Sequence, residues 1–222
     1  MIELIDVNKD FKINKTHSVS ALKNINLKFN EGELIVLKGA SGSGKSTLLS
    51  LIAALNKPSS GEIIVDNKRI SKLPDDFASI YRRKNIGFIF QKYHLIGNLS
   101  VKENILLPLI PNNPNENLAL NLLEDVMKRF NIEHKKNSIV NTLSGGEQQR
   151  VAIARAHIND PKIIIADEPT ANLDTKLSLH FIDILKELKS INKTIIIASH
   201  DPIFFDLDFV DKIIEINDGK IV

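Results

Sequence analysis

The stretch Gly39-Ala40-Ser41-Gly42-Ser43-Gly44-Lys45-Ser46-Thr47 limits what this chain can fold into more than any other. It follows an apolar run, Leu34-Ile35-Val36-Leu37, and precedes the helical pattern Leu48, Leu49, Leu51, Ile52 and Leu55. A strand, a Gly-rich loop and a helix in that order are the context that a G-x-x-x-x-G-K-[ST] phosphate loop requires. The glycines let the loop curl so that successive backbone N–H groups point at phosphate oxygens. The helix then offers its unpaired N–H groups and positive dipole end to the same anion. In that geometry Lys45 reaches the β- and γ-phosphates, Ser46 ligates Mg²⁺ and Thr47 steadies the α-phosphate. The chain is therefore expected to bind a nucleotide.

Its 222 residues allow one large domain, or a core with an inserted lobe. A net charge of +2 gives no basic field for nucleic acid, so none is expected as a partner. The absence of cysteine excludes thiolate chemistry, disulfides and Cys-zinc sites, and fits a reducing cytoplasm. No stretch approaches the about 18 consecutive apolar residues of a membrane span, and Met1-Ile2-Glu3 opens no signal peptide. Any membrane role is expected to run through a partner.

Strands are expected at Ile2 to Val7 and Ile25 to Phe29, with the polar stretch Asn8 to Ser20, which carries Phe11, as a loop. Asn30-Glu31-Gly32 turns the chain into the strand before the phosphate loop. Pro58 to Gly61 is expected to end the first helix, and Glu62 to Asp66 forms another strand with an Asp66-Asn67 turn. A helix over Pro74 to Lys84 and a strand over Ile86 to Phe90 lead to Gln91. From Lys92 to about Asn159 the pattern is helical, with a capping box at Ser100 to Glu103, a Pro108-Pro111-Pro114 turn and a helix over Glu116 to Phe130. Unbroken apolar runs return at Ile163 to Ala166 and Ile195 to Ala198, which suits a parallel sheet covered on both faces. Between them Leu177, Phe181, Leu185 and Leu188 mark an amphipathic helix, and Val210 to Gly219 reads as a last strand and hairpin.

Asp167-Glu168 ends the Ile163–Ala166 run, at the sheet edge where the phosphate loop also lies. An Asp there can hold Mg²⁺, and a carboxylate one residue on can polarise an attacking water. Gln91, at another strand end, can order a water or ligate the metal. His200 is either an ordinary loop histidine before the Asp201-Pro202 helix start or a hydrogen-bonding partner of the γ-phosphate. Ser144-Gly145-Gly146-Glu147 is a capping box with exposed first-turn amides: a second anion-binding helix start, or simply a well-capped helix.

The string LSGGEQQRVAIARA resembles the signature of ABC-type ATPases, and it precedes ADEPTANLD at the family's spacing. The resemblance covers the whole chain. The stretches GASGSGKSTLLSLIAALNKPSSGEI, RRKNIGFIFQKYHLI, VKENILLPL and DEPTANLD resemble the branch that holds lipoprotein-release, macrolide-export (MacB-like) and cell-division (FtsE-like) ATPases. Glu147 stands where many relatives carry Gln, Ala171 where this branch often carries Gly, and Phe11 where the adenine-stacking aromatic is commonly Tyr.

The resemblance implies an α/β P-loop NTPase. A RecA-like core over 1–91 and 160–222 would carry an N-terminal antiparallel β region, and an α-helical lobe over 92–159 would carry the signature. It implies that Glu168 is the general base, that Asp167 holds Mg²⁺ and that His200 is the switch histidine. Ser144, Gly145 and Gly146 would bind the γ-phosphate of ATP held by a partner subunit, with Asp174 at the dimer seam. The expected function is ATP hydrolysis by a homodimer formed on ATP binding, driving an integral membrane permease from the cytoplasmic face. A regulatory, mechanotransmitting ATPase is the alternative. A soluble relative of DNA repair or translation is disfavoured by the single ATPase unit and the low charge. Arg82-Arg83-Lys84 is expected to be a solvated helix end, with a contact to anionic lipid or a permease as the alternative. Tyr93-His94-Leu95-Ile96 either packs inside the helical lobe or lines a groove for the permease's coupling helix.

Overall fold

A computed structural model describes residues 1–14, 18–171 and 173–222. Its centre is a sheet in which three continuous apolar strands lie side by side. These are β3 (Leu34–Lys38), β7 (Ile163–Asp167) and β8 (Thr194–Ser199), which pair in parallel in the order β3-β8-β7. β6 (Ile86–Ile89) extends the sheet beyond β7, and β9 (Lys212–Asn217) and β10 (Lys220–Ile221) extend it beyond β3. Alternation splits each central strand between the two faces. Leu34, Val36, Ile164, Ala166, Ile195 and Ile197 enter one apolar cluster; Ile35, Leu37, Ile163, Ile165, Ile196 and Ala198 enter the other. Each face needs its own cover, which is why the middles of these strands are uniformly apolar.

One face is covered by α1 (Lys45–Ile52) and by an antiparallel sheet ordered β2-β1-β4-β5. Its strands are β1 (Ile2–Lys12), β2 (Ser18–Phe29), β4 (Ser60–Val65) and β5 (Lys68–Arg69). The other face is covered by α3 (Val101–Leu106), α4 (Glu116–Arg129), α5 (Gly145–His157) and α6 (Thr175–Ser190). α2 (Asp75–Asn85) leads into β6. Helices α3, α4 and α5 share one continuous apolar cluster with the sheet. The capping box at Ser100 and Glu103 forms as expected, with the Glu103 carboxylate accepting from the Ser100 N–H at 2.7 Å.

Four local expectations are corrected. The stretch Asn8 to Ser20 is not simply a loop. β1 continues to Lys12, β2 starts at Ser18, and Phe11 pairs with Val19. Residues 15–17 of that stretch lie outside the described residues. The arm is polar because both of its faces meet solvent, so its composition imitates a loop. Second, α1 stops at Ile52 with Ala53 as its C-cap; Leu55 is exposed, and Ser60-Gly61 already belongs to β4. Third, the proline-rich turn is a 3-10 helix over Leu107–Asn112. Fourth, Arg82-Arg83-Lys84 is not a solvated end. Only Lys84 is exposed, Arg82 donates to the Ala54 carbonyl at 2.6 Å, and Arg83 lines a cavity with its Nε buried.

Candidate functional site: a phosphate-loop cleft at the carboxyl edge of the parallel sheet

Because β3, β6, β7 and β8 run parallel, the residues that follow them gather at one sheet edge. The loop 39–44 follows β3, Gln91 follows β6, Glu168 follows β7 and His200 follows β8. They border a cleft of about 310 Å³ whose floor is Ser41 to Thr47 and whose walls include Gln91, Glu168 and His200. Gly44 is the N-cap of α1 at φ 111°, and a Cβ there would stand 2.7 Å from the Ala21 carbonyl oxygen. Glycine is thus required both by the backbone angle and by the approach of β2. Ser43 Oγ is buried with no hydrogen-bond partner among the described residues, on the floor of the cleft.

Lys45 is 5% exposed and spends its donors at home. Nζ donates to the carbonyls of Gly39 at 2.7 Å and Ala40 at 3.0 Å, and lies 3.5 Å from Glu168 Oε1. Glu168 holds a left-handed backbone angle of φ 45°, fixed by its N–H donating to the Ala198 carbonyl at 2.8 Å. For a non-glycine residue this conformation costs on the order of 1–3 kcal/mol and is found preferentially at functional sites. It turns the carboxylate back over the sheet edge. There Oε2 accepts from Ser199 Oγ at 3.3 Å and faces His200 Nδ1 at 3.0 Å. The His200 ring is otherwise 64% exposed over the cleft.

Ser46 Oγ donates to Asp167 Oδ1 at 2.9 Å. Burial, together with the charge of Glu168, pushes the Asp167 carboxyl up from its ordinary range, against the opposing Ser46 hydrogen bond and Lys45. A hydroxyl and a buried carboxylate side by side are hard oxygen donors that a divalent cation suits, and the cation would favour the charged form that burial penalises. Among the described residues no group of three or more His, Cys, Asp or Glu could hold a metal alone.

The other expected residues fall into two groups. Gly39 and Ala40 serve the loop through their carbonyls rather than by lining the cleft. Phe11 is 40% exposed and stands opposite Val19, which does line the cleft; Lys9 Nζ lies 4.9 Å from its ring centroid. Ser144, Gly145 and Gly146 are elsewhere, at the start of α5, and none of them lines this chain's cleft. There the capping box is complete, with Glu147 accepting from the Ser144 N–H at 2.8 Å. That amide and the Lys135 ammonium, 3.1 Å away, hold the Glu147 carboxyl down at about 2. A Cβ at Gly146 would collide with Leu177 at 2.5 Å, but a Cβ at Gly145 would meet nothing within 4 Å. Asp174 caps α6 by accepting from the Leu177 N–H at 2.8 Å; Asn172 lies outside the described residues.

Two further supports reach the site from elsewhere in the chain. Gln149, 3% exposed, donates to the Pro169 carbonyl at 3.0 Å and ties the turn after Glu168 to α5. Gly219 donates to the Ser43 carbonyl at 2.9 Å, and its neighbour Asp218 holds Lys23 at 2.7 Å, so the C-terminal hairpin braces the phosphate loop. Of the four residues Tyr93 to Ile96, Tyr93 is buried and Leu95 packs against the apolar cluster. His94 lines a second cavity, of about 340 Å³, with Phe88, Phe90 and Arg83.

The family model described as ABC transporter matches residues 22–171. The chain belongs to the ABC transporter family. It is an ABC-type ATPase, an ATP-binding cassette whose fold follows the family's α/β plan with its antiparallel β region and helices. It is 41% identical over 222 residues to an uncharacterized ABC transporter ATP-binding protein, MJ1508, of Methanocaldococcus jannaschii, covering 100% of this chain and 98% of that one. It is 41% identical over 226 residues to the macrolide export ATP-binding/permease protein MacB of Chlorobaculum tepidum, of which it spans 34%. Among solved structures it is similar to the ATP-binding cassette MJ0796 in a dimeric post-hydrolysis state bound to ADP and Pi. The TM-score is 0.91 at 40% identity, over 100% of this chain and 96% of that one. None of the cassette's helices, among the described residues, is long and apolar enough to cross a membrane.

Proposed function

We propose that this cassette hydrolyses Mg-ATP as a head-to-tail homodimer and drives a membrane permease of the lipoprotein-release or macrolide-export type. The observation that carries the dimer is the pair of separate anion sites. The phosphate loop and the Ser144 helix start lie apart in one chain, and Gly145 is open on the side where a Cβ would sit. Since no neighbour among the described residues requires glycine there, close approach of a second body would supply the reason. Two-fold symmetry pairs each phosphate loop with the other chain's Ser144-Gly145-Gly146.

Within each site Lys45, Ser41, Gly42, Ser43 and Thr47 cradle the phosphates, and Phe11 stacks the base. Ser46, Asp167 and Gln91 would hold Mg²⁺, which would supply positive charge to offset that of the phosphates. Glu168 takes the proton of the attacking water. His200 steadies that carboxylate through Nδ1–H, 3.0 Å away, at the wall of the cleft. Catalysis is mostly positioning and charge stabilisation, as phosphoryl transfer requires.

The permease is expected to dock at the cavity lined by Phe88, Phe90, His94 and Arg83, next to the turn that carries Gln91, with the cassette on the inner face of the membrane. Capture from solubilised membranes of the source cell, with the tagged cassette as bait, tests this. A polytopic membrane protein retained by the wild type, and lost with Arg83→Glu, is the expected result. Retention of ribosomes or DNA in its place would overturn it.

A further inference from the structure

The turn after Gln91 is held in an unusual way. Tyr93 and His94 both have left-handed backbones, at φ 58° and φ 47°, in a segment without glycine. Two consecutive non-glycine residues in that region cost roughly 1–2 kcal/mol each. Something must hold them, and the turn's own hydrogen bonds, Tyr93 N–H to the Phe90 carbonyl at 2.9 Å and His94 N–H to that of Lys92 at 2.6 Å, are local. The external hold is Arg155. Its guanidinium donates to the His94 carbonyl at 2.7 Å and to the Tyr93 carbonyl, a two-pronged grip on consecutive peptides. The His94 ring meanwhile lies on Phe90, with centroids 4.6 Å apart, and Phe90 on Phe88 at 4.2 Å. Further along, the buried Asn104 accepts from the Ile96 N–H at 2.8 Å and donates to its carbonyl at 3.0 Å. The backbone from Tyr93 to Ile96 is thus pinned to helices α5 and α3.

Arg155 lies on the same helix that begins at Ser144, eleven residues on, or about 16 Å along the axis. Gln91, two residues before the gripped turn, borders the nucleotide cleft. We propose that Arg155 is a positioning residue which fixes Gln91 at the cleft by clamping the turn after it, so that turnover depends on the placement of α5. This rests on the role of Gln91 given above. Arg155 touches no reacting atom.

The test is a double-mutant cycle on steady-state ATP hydrolysis, with Gln91→Ala, Arg155→Met and the pair. Arg155→Met is expected to lower kcat by at least about tenfold, the scale of a misplaced catalytic group, with KM for ATP near the wild type. Arg155→Lys should recover part of the loss, since one ammonium can hold one of the two carbonyls. The double variant should be no slower than Gln91→Ala alone. Near-wild-type kcat in Arg155→Met, or losses that multiply in the double variant, would overturn the clamp while leaving Gln91 its role. Full turnover in Gln91→Ala would overturn both. Should Arg155→Met fail to fold, Arg155→Gln takes its place, since one amide can reach at most one of the two carbonyls. It must then show the same loss of kcat, and full turnover there overturns the inference.

Discussion

Lys45 Nζ stands 3.5 Å from Glu168 Oε1, so the cation of the phosphate loop and the carboxylate after β7 compensate each other inside the cleft. Both are held by backbone contacts of their own: Lys45 by the Gly39 and Ala40 carbonyls, Glu168 by the Ala198 carbonyl. On the roles proposed above, a γ-phosphate entering the cleft would compete for Lys45 and free the carboxylate to face a water.

Glu168→Gln removes the base and leaves the cradle. Hydrolysis should fall by about 10²–10⁴-fold, the usual contribution of general base catalysis, while ATP affinity is kept or tightened because Lys45 loses its competing partner. Phosphate release and nucleotide titration on the same preparation check both halves. Turnover near the wild-type rate would take Glu168 out of this role.

Phe11→Ala should weaken ATP binding by about 0.5–1.5 kcal/mol, the worth of one aromatic stack, and Phe11→Tyr should be close to neutral. Calorimetric titration decides. Unchanged affinity in the alanine variant would leave Phe11 as a strand residue facing Lys9.

His157 gives a pH signature unrelated to catalysis. Its ring is buried, edge-on to Phe130, and its Nε2 lies 2.8 Å from the Arg129 guanidinium. Burial, with Arg129 and Lys193 nearby, pushes the imidazole down to about 4 against a weaker pull from Asp160. The unfolded chain therefore binds the proton first. Stability from the neutral ring is present above about 6.5 and is lost as pH falls from there to 4, by up to about 3 kcal/mol. Urea unfolding at several pH values should show this loss in the wild type and not in His157→Gln, whose amide can still accept from Arg129. Parallel acid profiles for the two proteins would contradict it.

Much of this was legible in the sequence, and the gaps have physical causes. The runs at Ile163 to Ala166 and Ile195 to Ala198 read as covered parallel strands because both of their faces are buried. The phosphate loop, Asp167-Glu168 and His200 then follow from where parallel strands end. The arm carrying Phe11 was misread since a strand solvated on both sides has no apolar period. Gln149, Asn104 and Gly219 hold backbone atoms distant in sequence, with partners 20, 8 and 176 positions away, and single polar contacts of that kind leave no pattern. Arg155 stood inside the quoted signature, but its grip on Tyr93 and His94 depends on backbone angles that residue types do not announce.

The central claim is that each ATP site is built from two chains, Lys45 of one facing Ser144 of the other. It is tested by mixing Lys45→Ala and Ser144→Arg chains, both carrying Glu168→Gln so that bound ATP is retained. Neither variant alone can form an intact shared site. A mixed dimer has one site with both defects and one with none. The account predicts that mixing with Mg-ATP yields a dimer on size exclusion that traps one ATP. If the signature served its own chain's ATP, neither site would be intact, and the mixture would form no more ATP-bound dimer than its separate components; that outcome would contradict the shared site.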